Sequence, residues 1–388
     1  MSLWQELNTA GRAVAIGLLA GIAVLISSLV LYILPSSHIA YSDQGAAVLE
    51  TGAFTAPSPR PPVIRKKTPE AVKGIYMTAC IAGTPSLRGR ILETIKGTGI
   101  NSIVIDIKDY TGTLVYDFPG VRGPRGRGCR IVDLPSFIAD LHKKDIYAIA
   151  RVTVFQDPLY ADAHPALAVQ SAANPGKPWV DRNGLAYIDP NSRDFWDYIT
   201  SIAKGAYEIG FDEINFDYIR FPSDGDTEDM MFNMPSGLSR VDVMTEFFGY
   251  LDSELRPSGI VTSADIFGQT TVNRDDMGIG QVLESVLPYF DYVAPMNYPS
   301  HYISGFMGYD NPASKPYEII KGTMVTAVER TLAASSSIDK LRPWLQAFDM
   351  GADYTPEMVH AQVRGVHDAG LDSWMLWDAA NRYKREAL

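Results

Sequence analysis

The sequence is poor in cysteine and lacks the short motifs of common cofactor sites. Among its 388 residues only Cys80 and Cys129 are cysteines, with no CxxC pair and no pair of histidines nearby. It therefore predicts no zinc site or redox dithiol, although one disulfide can form if the compartment is oxidising. Neither GxGxxG nor a Walker motif is present to favour a doubly wound nucleotide-binding sheet, and we expect no metal or cofactor.

Positive charge is also scarce. Lys and Arg together number 34 against 45 Asp and Glu, which gives a formal net charge of -11. Because phosphate binding requires a dense positive surface, nucleic acid is not an expected partner. Hydrophobic residues make up 46% of the chain, which is enough for the large core of a globular α/β protein.

One long uncharged apolar run is present, at residues 13–34, between Arg12 and Pro35. Crossing a bilayer takes about 20 apolar residues, whereas the apolar part of a cleaved signal peptide has roughly 7 to 15. The run therefore predicts an uncleaved signal anchor within residues 1–35, with a cleaved signal or a buried helix as alternatives. The position of Arg12, set against Asp43 and Glu50, indicates a single-pass protein anchored in the membrane whose remaining chain is extracytoplasmic, in the periplasm or outside the cell.

Residues 36–72 contain Pro, Ser, Ala and Gly without a hydrophobic period, which predicts a flexible linker. From residue 73 to residue 388, short β-branched runs alternate with longer amphipathic segments, as in βα units around a parallel sheet. Eight strands are predicted, at residues 74–78, 102–107, 147–154, 213–218, 261–267, 292–298, 343–348 and 373–377. Helices are predicted between them, at residues 86–96, 134–144, 193–209, 241–255, 316–332 and 356–369. Eight units in one uninterrupted series favour a (β/α)8 TIM barrel, and long connections follow the third, fourth and sixth strands.

The fourth predicted strand places polar residues in the barrel interior. In the segment FDEINFDYIRFP, residues 211–222, Ile214 and Phe216 alternate with Asn215 and Asp217. Because successive side chains point to opposite faces of a strand, the apolar pair should face the helices and the polar pair the interior. A carboxylate at the carboxyl end of a barrel strand is where an active site is expected.

Polar and aromatic residues recur at the ends of the other strands. The substrate-binding residues predicted on this basis are Asp106, Lys108, Arg151, Asn215, Arg220, Asn297, Tyr298, His301, Gln346, Trp377 and Asp378. Carboxylates at successive strand ends with aromatic residues beside them are typical of a sugar site. Tyr298 and His301 would orient sugar hydroxyls. Trp377 would form the floor of a sugar subsite, with core packing as its alternative.

Asp217 and Asp265 are the predicted catalytic pair. Asp265 should share the inward face of the fifth strand with Val261 and Ser263, next to the fourth strand. One carboxylate would stay ionised and attack or stabilise an oxocarbenium-like centre, while the other, with a raised pKa, would protonate the leaving oxygen. The alternative is a structural role, for Asp217 a fixed ion pair with Arg151 or Arg220.

With these residues identified, the chain from residue 74 to about residue 383 resembles a bacterial domain-of-unknown-function family assigned to the glycosyl hydrolases. The resemblance rests on KGIY (73–76), VIDIKD (104–109), NFDYIRFP (215–222), ADIFG (264–268) and PMNYPSH (295–301). It implies a (β/α)8 barrel and a carbohydrate substrate.

A second resemblance is partial. Chitinase-type enzymes of glycoside hydrolase family 18 carry DxxDxDxE on the fourth strand, and the same register here gives Asp212, Asn215, Asp217 and Ile219. The general-acid Glu is therefore missing. Either the acid comes from another strand, with Asp265 as the candidate, or the domain binds glycan without cleaving it.

We therefore expect a glycosidase acting on a cell-envelope or extracellular polysaccharide. The alternative from another class is a catalytically inactive glycan-binding barrel involved in envelope assembly. A barrel deacetylase or lyase is disfavoured, because no metal ligands stand out and Lys108 is the only lysine placed for a Schiff base.

Overall fold

The computed structural model describes residues 63–388, and its centre is a closed barrel of eight parallel strands. In chain order the strands are β1 (Lys73–Met77), β2 (Ser102–Lys108), β3 (Tyr147–Thr153), β4 (Glu213–Asp217), β5 (Val261–Phe267), β6 (Tyr292–Asn297), β7 (Trp344–Gln346) and β8 (Trp374–Trp377). Each strand pairs with its neighbours in this order, and β1 closes the barrel against β8. The predicted (β/α)8 barrel is confirmed, and every predicted strand overlaps an observed one.

Nine α-helices surround the barrel within the described residues. They are α1 (Ala79–Gly83), α2 (Pro85–Ile95), α3 (Leu134–Lys143), α4 (Pro158–Ala163), α5 (Arg193–Ile209), α6 (Arg240–Leu255), α7 (Leu283–Val286), α8 (Pro316–Ala333) and α9 (Pro356–Asp368). The local sequence explains where two of these helices begin or end. A capping box between Ser239 and Asp242 starts α6, and α5 stops at Gly210, whose φ of 123° favours glycine.

The long connections after β3 and β4 are joined by a small antiparallel sheet. It pairs Gln170–Ser171 with Met230–Met231. Trp179 donates from Nε1 to the Asp226 carbonyl at 2.8 Å, which ties the same two connections together again. These loops therefore form one packed unit above the barrel, at the carboxyl ends of the strands.

The hydrophobic core lies on both sides of the barrel wall. Outside it, Phe216 of β4 packs on Phe290, which in turn meets Phe248 of α6 edge to face. Inside it, apolar side chains fill the barrel and include Val104, Tyr147, Ile149, Ala294 and Met375. These side chains pack the interior of the barrel, as is usual for this fold.

Residues 63–72, which the sequence assigned to the linker, contain no helix or strand and lie against the amino-terminal end of the barrel. The amide of Lys66 donates to Asp212 Oδ1 at 2.7 Å, and the Thr68 hydroxyl lies 3.1 Å from the Tyr147 hydroxyl. Val72 is fully buried and donates its amide to Ser373. This segment covers the barrel end opposite the long loops.

The predicted membrane span at residues 13–34 lies outside the described residues. Within residues 63–388, no helix combines the length and the apolar character needed to cross a bilayer.

A disulfide joins Cys80 of α1 to Cys129 in the connection after β2. Their Cα atoms are 5.0 Å apart and the two residues are separated by 49 positions in sequence. The bond therefore ties the first two strand-to-helix connections together, on the face of the barrel that carries the long loops.

Replacing both cysteines with serine should lower the free energy of unfolding by about 2–4 kcal/mol, because the bond restricts a long loop in the unfolded chain. Urea unfolding of the wild type and the double variant measures the difference. Wild-type protein treated with dithiothreitol is the matched control and should unfold like the variant. Equal midpoints for the oxidised and reduced protein would show that the bond contributes nothing to stability.

Candidate functional site

A cavity of about 380 Å³ opens at the carboxyl ends of the strands. Seven of the predicted catalytic and substrate-binding residues line it: Arg151, Asp217, Arg220, Asp265, Tyr298, His301 and Trp377. They come from five strands or the loops that follow them. The closed barrel brings these residues together because all its strands end at the same edge.

Arg151 of β3 is the central cation of the site. Its Nη1 donates to Asp106 Oδ1 at 2.6 Å, and its Nε donates to Asp217 Oδ2 at 3.2 Å, with a second bond from Nη2 to the same oxygen. Asp265 Oδ2 lies 3.9 Å from Nε. One buried guanidinium thus neutralises two carboxylates directly and faces a third.

Asp265 of β5 is held from below by two uncharged donors. Asn215 Nδ2 and Trp344 Nε1 each donate to Asp265 Oδ1 at 2.8 Å. The residue is only 1% exposed. Burial, and next to it the charge of Asp217, raise the pKa of Asp265 well above its ordinary value. Its second oxygen, Oδ2, points to the Arg151 and Asp217 side of the cavity.

Asp217 is the last residue of β4, and both of its carboxyl oxygens accept hydrogen bonds. Its Oδ1 accepts the amide of Tyr218 at 2.6 Å, while Arg151 binds Oδ2. Tyr218 has a φ of 53°, in the left-handed region that costs energy for any residue with a side chain. The turn directs the Tyr218 ring to the cavity wall and its amide to Asp217.

The two carboxyl groups are close neighbours. Arg151 Nε lies 3.2 Å from Asp217 Oδ2 and 3.9 Å from Asp265 Oδ2, so these two oxygens cannot be more than about 7 Å apart. That limit includes the roughly 5–5.5 Å separation of retaining glycosidases and the lower part of the roughly 6.5–9.5 Å range of inverting ones.

Asp106 supports the site without lining the cavity. It accepts hydrogen bonds from Arg151 and from the hydroxyl of Tyr76, and burial raises its pKa. Tyr76 stacks on Trp377 with ring centroids 3.8 Å apart. Asp106 therefore fixes the guanidinium of Arg151 and connects it to the aromatic wall, whereas direct sugar binding was predicted.

Aromatic side chains form much of the remaining wall. Tyr298 is buried and meets His301 edge to face at 5.0 Å and Phe348 at 5.5 Å. His301 is exposed at the rim. Trp377, partly exposed, lies 5.0 Å below the guanidinium carbon of Arg151. Flat apolar surfaces of this kind suit the faces of sugar rings.

Lys108 does not reach the cavity. Its ammonium is fully buried against Asp157 at 2.8 Å and donates to the Thr153 carbonyl at 2.6 Å. The reason is an irregularity in β2, where Asp106 pairs with Arg151 but Lys108 already pairs with Val152. One extra residue turns the strand, so Lys108 leaves the face that Asp106 occupies, and its predicted contact with substrate is not supported.

Asn297 and Asp378 also lie outside the cavity wall. Asn297 accepts the Tyr302 hydroxyl at 2.8 Å and is fully buried, because its neighbour Met296 takes the inward position. Asp378 accepts the amides of Ala380 and Arg382 and so caps the turn after β8. Both hold loops in place, and neither lines the cavity.

Asn215 and Gln346 lie beneath or beside the cavity. Asn215 is fully buried and positions Asp265. Gln346 accepts the amide of Ser300 at 3.1 Å, exchanges hydrogen bonds with Gln362, and donates to carbonyls of the loop after β7. It therefore ties the loop after β6 to β7 and does not line the cavity.

Several residues of the site were not predicted. Tyr76 and Trp344 contact the carboxylates, and the cavity wall also includes Tyr218, Asp224, Phe267, Gln269, Met296 and Tyr302. For two of these residues, the sequence contains a pattern that could have led to their prediction. Tyr76 belongs to the KGIY segment, and Asp224 follows Arg220 by four residues.

Ile219 occupies the position where the family 18 motif carries its acid. It is fully buried, and its carbonyl accepts Gln281 Nε2 at 3.2 Å. No acid therefore projects from this position. Within the described residues, no three His, Cys, Asp or Glu side chains are grouped to hold a metal ion.

Comparison with known proteins identifies the family of the chain. The family model described as "Putative glycosyl hydrolase domain" matches residues 74–383. The chain belongs to this family. The resemblance deduced from the sequence motifs is confirmed, and the domain is a glycosidase-like barrel. A comparison with curated protein sequences gives no match.

Solved structures share the fold. The glycoside hydrolase domain of PgaB (BpsB) from Bordetella bronchiseptica has a TM-score of 0.60 at 16% identity, covering 82% of this chain and 98% of that one. Alpha-L-fucosidase isoenzyme 2 from Paenibacillus thiaminolyticus has a TM-score of 0.55 at 11% identity, covering 82% and 47%. A hypothetical protein from Ruminiclostridium thermocellum is 35% identical over 49% of this chain and 96% of its own, with a TM-score of 0.44. At such low identities the first two establish the barrel alone.

Proposed function

We propose that this protein is a glycoside hydrolase in which Asp217 is the nucleophile or stabilising carboxylate and Asp265 is the acid/base. The observation that carries the proposal is that Asp217 and Asp265 both face the Arg151 guanidinium and line one cavity. Neighbouring carboxyl groups with separated proton affinities divide acid and nucleophile roles in this chemistry.

The hydrogen bonds support this division of roles. Arg151 and the Tyr218 amide both donate to Asp217 and fix the orientation of its carboxyl group toward the cavity. Asp265 is buried and its pKa is raised well above the ordinary value, which suits a carboxyl group that gives a proton to the leaving oxygen. Oδ1 of Asp265 is taken up by Asn215 and Trp344, which leaves Oδ2 to carry that proton toward the cavity.

The proposed substrate is a polysaccharide of the cell envelope or of the cell exterior. The disulfide between Cys80 and Cys129 supports an oxidising compartment, and the apolar run at residues 13–34 supports a membrane anchor. Protease added to intact cells that express the protein should digest the barrel if it is extracytoplasmic. Digestion only after lysis would contradict this location.

A reducing-sugar assay tests the hydrolase proposal. The purified protein is incubated with α- and β-linked glycans and peptidoglycan fragments, with Asp217→Asn and Asp265→Asn alongside. Release that disappears in either variant is the expected result, and the anomer formed first distinguishes retention from inversion. Binding without release would favour the second candidate, an inactive glycan-binding barrel, which the apolar Ile219 at the usual acid position supports.

A further inference from the structure

Two guanidinium groups line the cavity, and their electrostatic situations differ. Arg151 is bound by Asp106 and Asp217 and faces Asp265. Its charge is therefore compensated within the protein. Within residues 63–388, Arg220 has one ion-pair partner, Asp224, whose Oδ2 lies 3.5 Å from Nη2, at the long limit for a hydrogen bond.

Arg220 is held rigidly in place. Its side chain is 5% exposed, and its guanidinium carbon lies 4.6 Å from the centre of the Phe267 ring and 5.2 Å from that of Tyr218. Nη1 donates to the Phe221 carbonyl and to the Ser223 hydroxyl, each at 3.1 Å. These contacts fix the plane of the guanidinium before any ligand arrives, which reduces the entropy lost on binding.

Asp224, by contrast, is 61% exposed on the loop that follows β4. An exposed side chain at long distance contributes little to holding its partner, because water screens the pair. Both residues line the cavity. Asp224 can rotate into solvent, whereas Arg220 cannot leave its aromatic surroundings. The carboxylate of Asp224 therefore occupies a place that another carboxylate could take.

We infer that Arg220 binds a carboxylate carried by the sugar, displacing Asp224, and that it selects acidic saccharides as substrates. Such a carboxylate can belong to a hexuronic acid or to a lactyl-substituted amino sugar. The planar guanidinium suits either group, since it can donate two parallel hydrogen bonds to one carboxylate. This inference rests on the proposed function for its substrate class and adds the chemical group that the site selects.

Calorimetric titration tests the inference without depending on cleavage. The full-length protein is titrated with four oligosaccharides of equal length: one containing glucuronic acid, its carboxyl-reduced neutral counterpart, one containing N-acetylmuramic acid, and one containing glucosamine. At low salt, at least one acidic probe should bind about 10-fold or more tightly than the neutral one, and the preference should shrink as salt rises. The acidic probe that binds more tightly identifies the source of the carboxylate.

Three variants separate recognition from folding. Arg220→Met keeps an apolar stem between the two rings and should abolish the acidic preference, while Arg220→Lys keeps the charge and should retain part of it. Asp224→Asn removes the competing carboxylate from an exposed position and should tighten binding of the acidic probe several-fold. That variant keeps the test decisive even if changes at Arg220 disturb folding.

The possible outcomes are distinct. Equal affinity for the acidic and neutral probes, tighter binding of the glucosamine probe, or no effect of Asp224→Asn would overturn the inference. Cleavage of neutral glycans without an acidic preference would overturn it and leave the hydrolase proposal standing. Acidic preference without cleavage of any glycan would support it and favour the inactive barrel. No binding of any probe would count against both.

Discussion

Replacing Asp265 with Asn is expected to lower kcat/KM for glycan hydrolysis by about 100- to 10,000-fold, the usual contribution of a general acid. Asn215 and Trp344 can still donate to the amide oxygen at this position, so the variant should fold. Asp217→Asn should reduce the rate at least as strongly, since it removes the proposed nucleophile or stabilising carboxylate. Asp310→Asn, at an exposed carboxylate, is the matched control.

The pH dependence of the activity tests whether Asp265 itself is the general acid. Asp265 must be protonated to act as an acid, so activity should fall as pH rises through its raised pKa. In Asp265→Asn the residual activity should lose this alkaline limb. A variant that keeps the wild-type limb, with only a uniformly lower rate, would assign the acid to another residue.

The free energy of unfolding should also depend on the protonation of Asp265. Because the pKa of Asp265 is raised above its ordinary value of 3.8, the folded protein binds the proton more tightly than the unfolded chain. Its contribution to the free energy of unfolding is full below that value and is lost as pH rises through the raised pKa. Asp265→Asn should therefore become more stable relative to the wild type at high pH, and unfolding curves at several pH values measure the difference.

Replacing Arg151 with Met should destabilise the fold by about 3–5 kcal/mol, the cost of leaving a buried ion-pair partner uncompensated. The side chains of Arg151, Asp106 and Asp217 are each less than 8% exposed. Without the guanidinium, the carboxyl groups of Asp106 and Asp217 must either be charged in a buried, weakly solvated environment or take up protons. Urea unfolding at neutral pH measures the loss.

Two further variants check this explanation. Adding Asp106→Asn to Arg151→Met should recover part of the lost stability, because it removes one of the buried carboxyl groups left without an ion-pair partner. Arg193→Met breaks an exposed pair with Glu246 and should change stability by less than about 1 kcal/mol. A small effect of Arg151→Met, similar to that of Arg193→Met, would mean that the carboxylates are not held as a charged cluster.

The sequence was sufficient to predict the barrel, because strand periodicity and the order of βα units are local patterns. The alternation at residues 213–217 also predicted which side chains enter the interior. Asn215 and Asp217 do point inward, while Ile214 and Phe216 are buried against the helices. Residues predicted from strand position and alternation alone, such as Arg151 and Asp265, consequently reach the site.

The wrong placement of Lys108 and the failure to predict Trp344 both have physical causes that a local sequence pattern does not contain. The extra residue at the end of β2 rotates Lys108 away, and a bulge of this kind leaves no mark in the hydrophobic pattern. Trp344 reaches Asp265 from β7, two strands away around the barrel. That contact depends on the width of the closed barrel and the length of an indole ring, which are properties of the assembled fold.

The packing of residues 63–72 determines which end of the barrel stays accessible. This segment crosses the amino-terminal end of the barrel, where Val72 is buried among interior side chains. The chain therefore enters the domain at the pole farthest from the mouth of the cavity. Residues 63–72 therefore neither line the cavity nor narrow the approach to it.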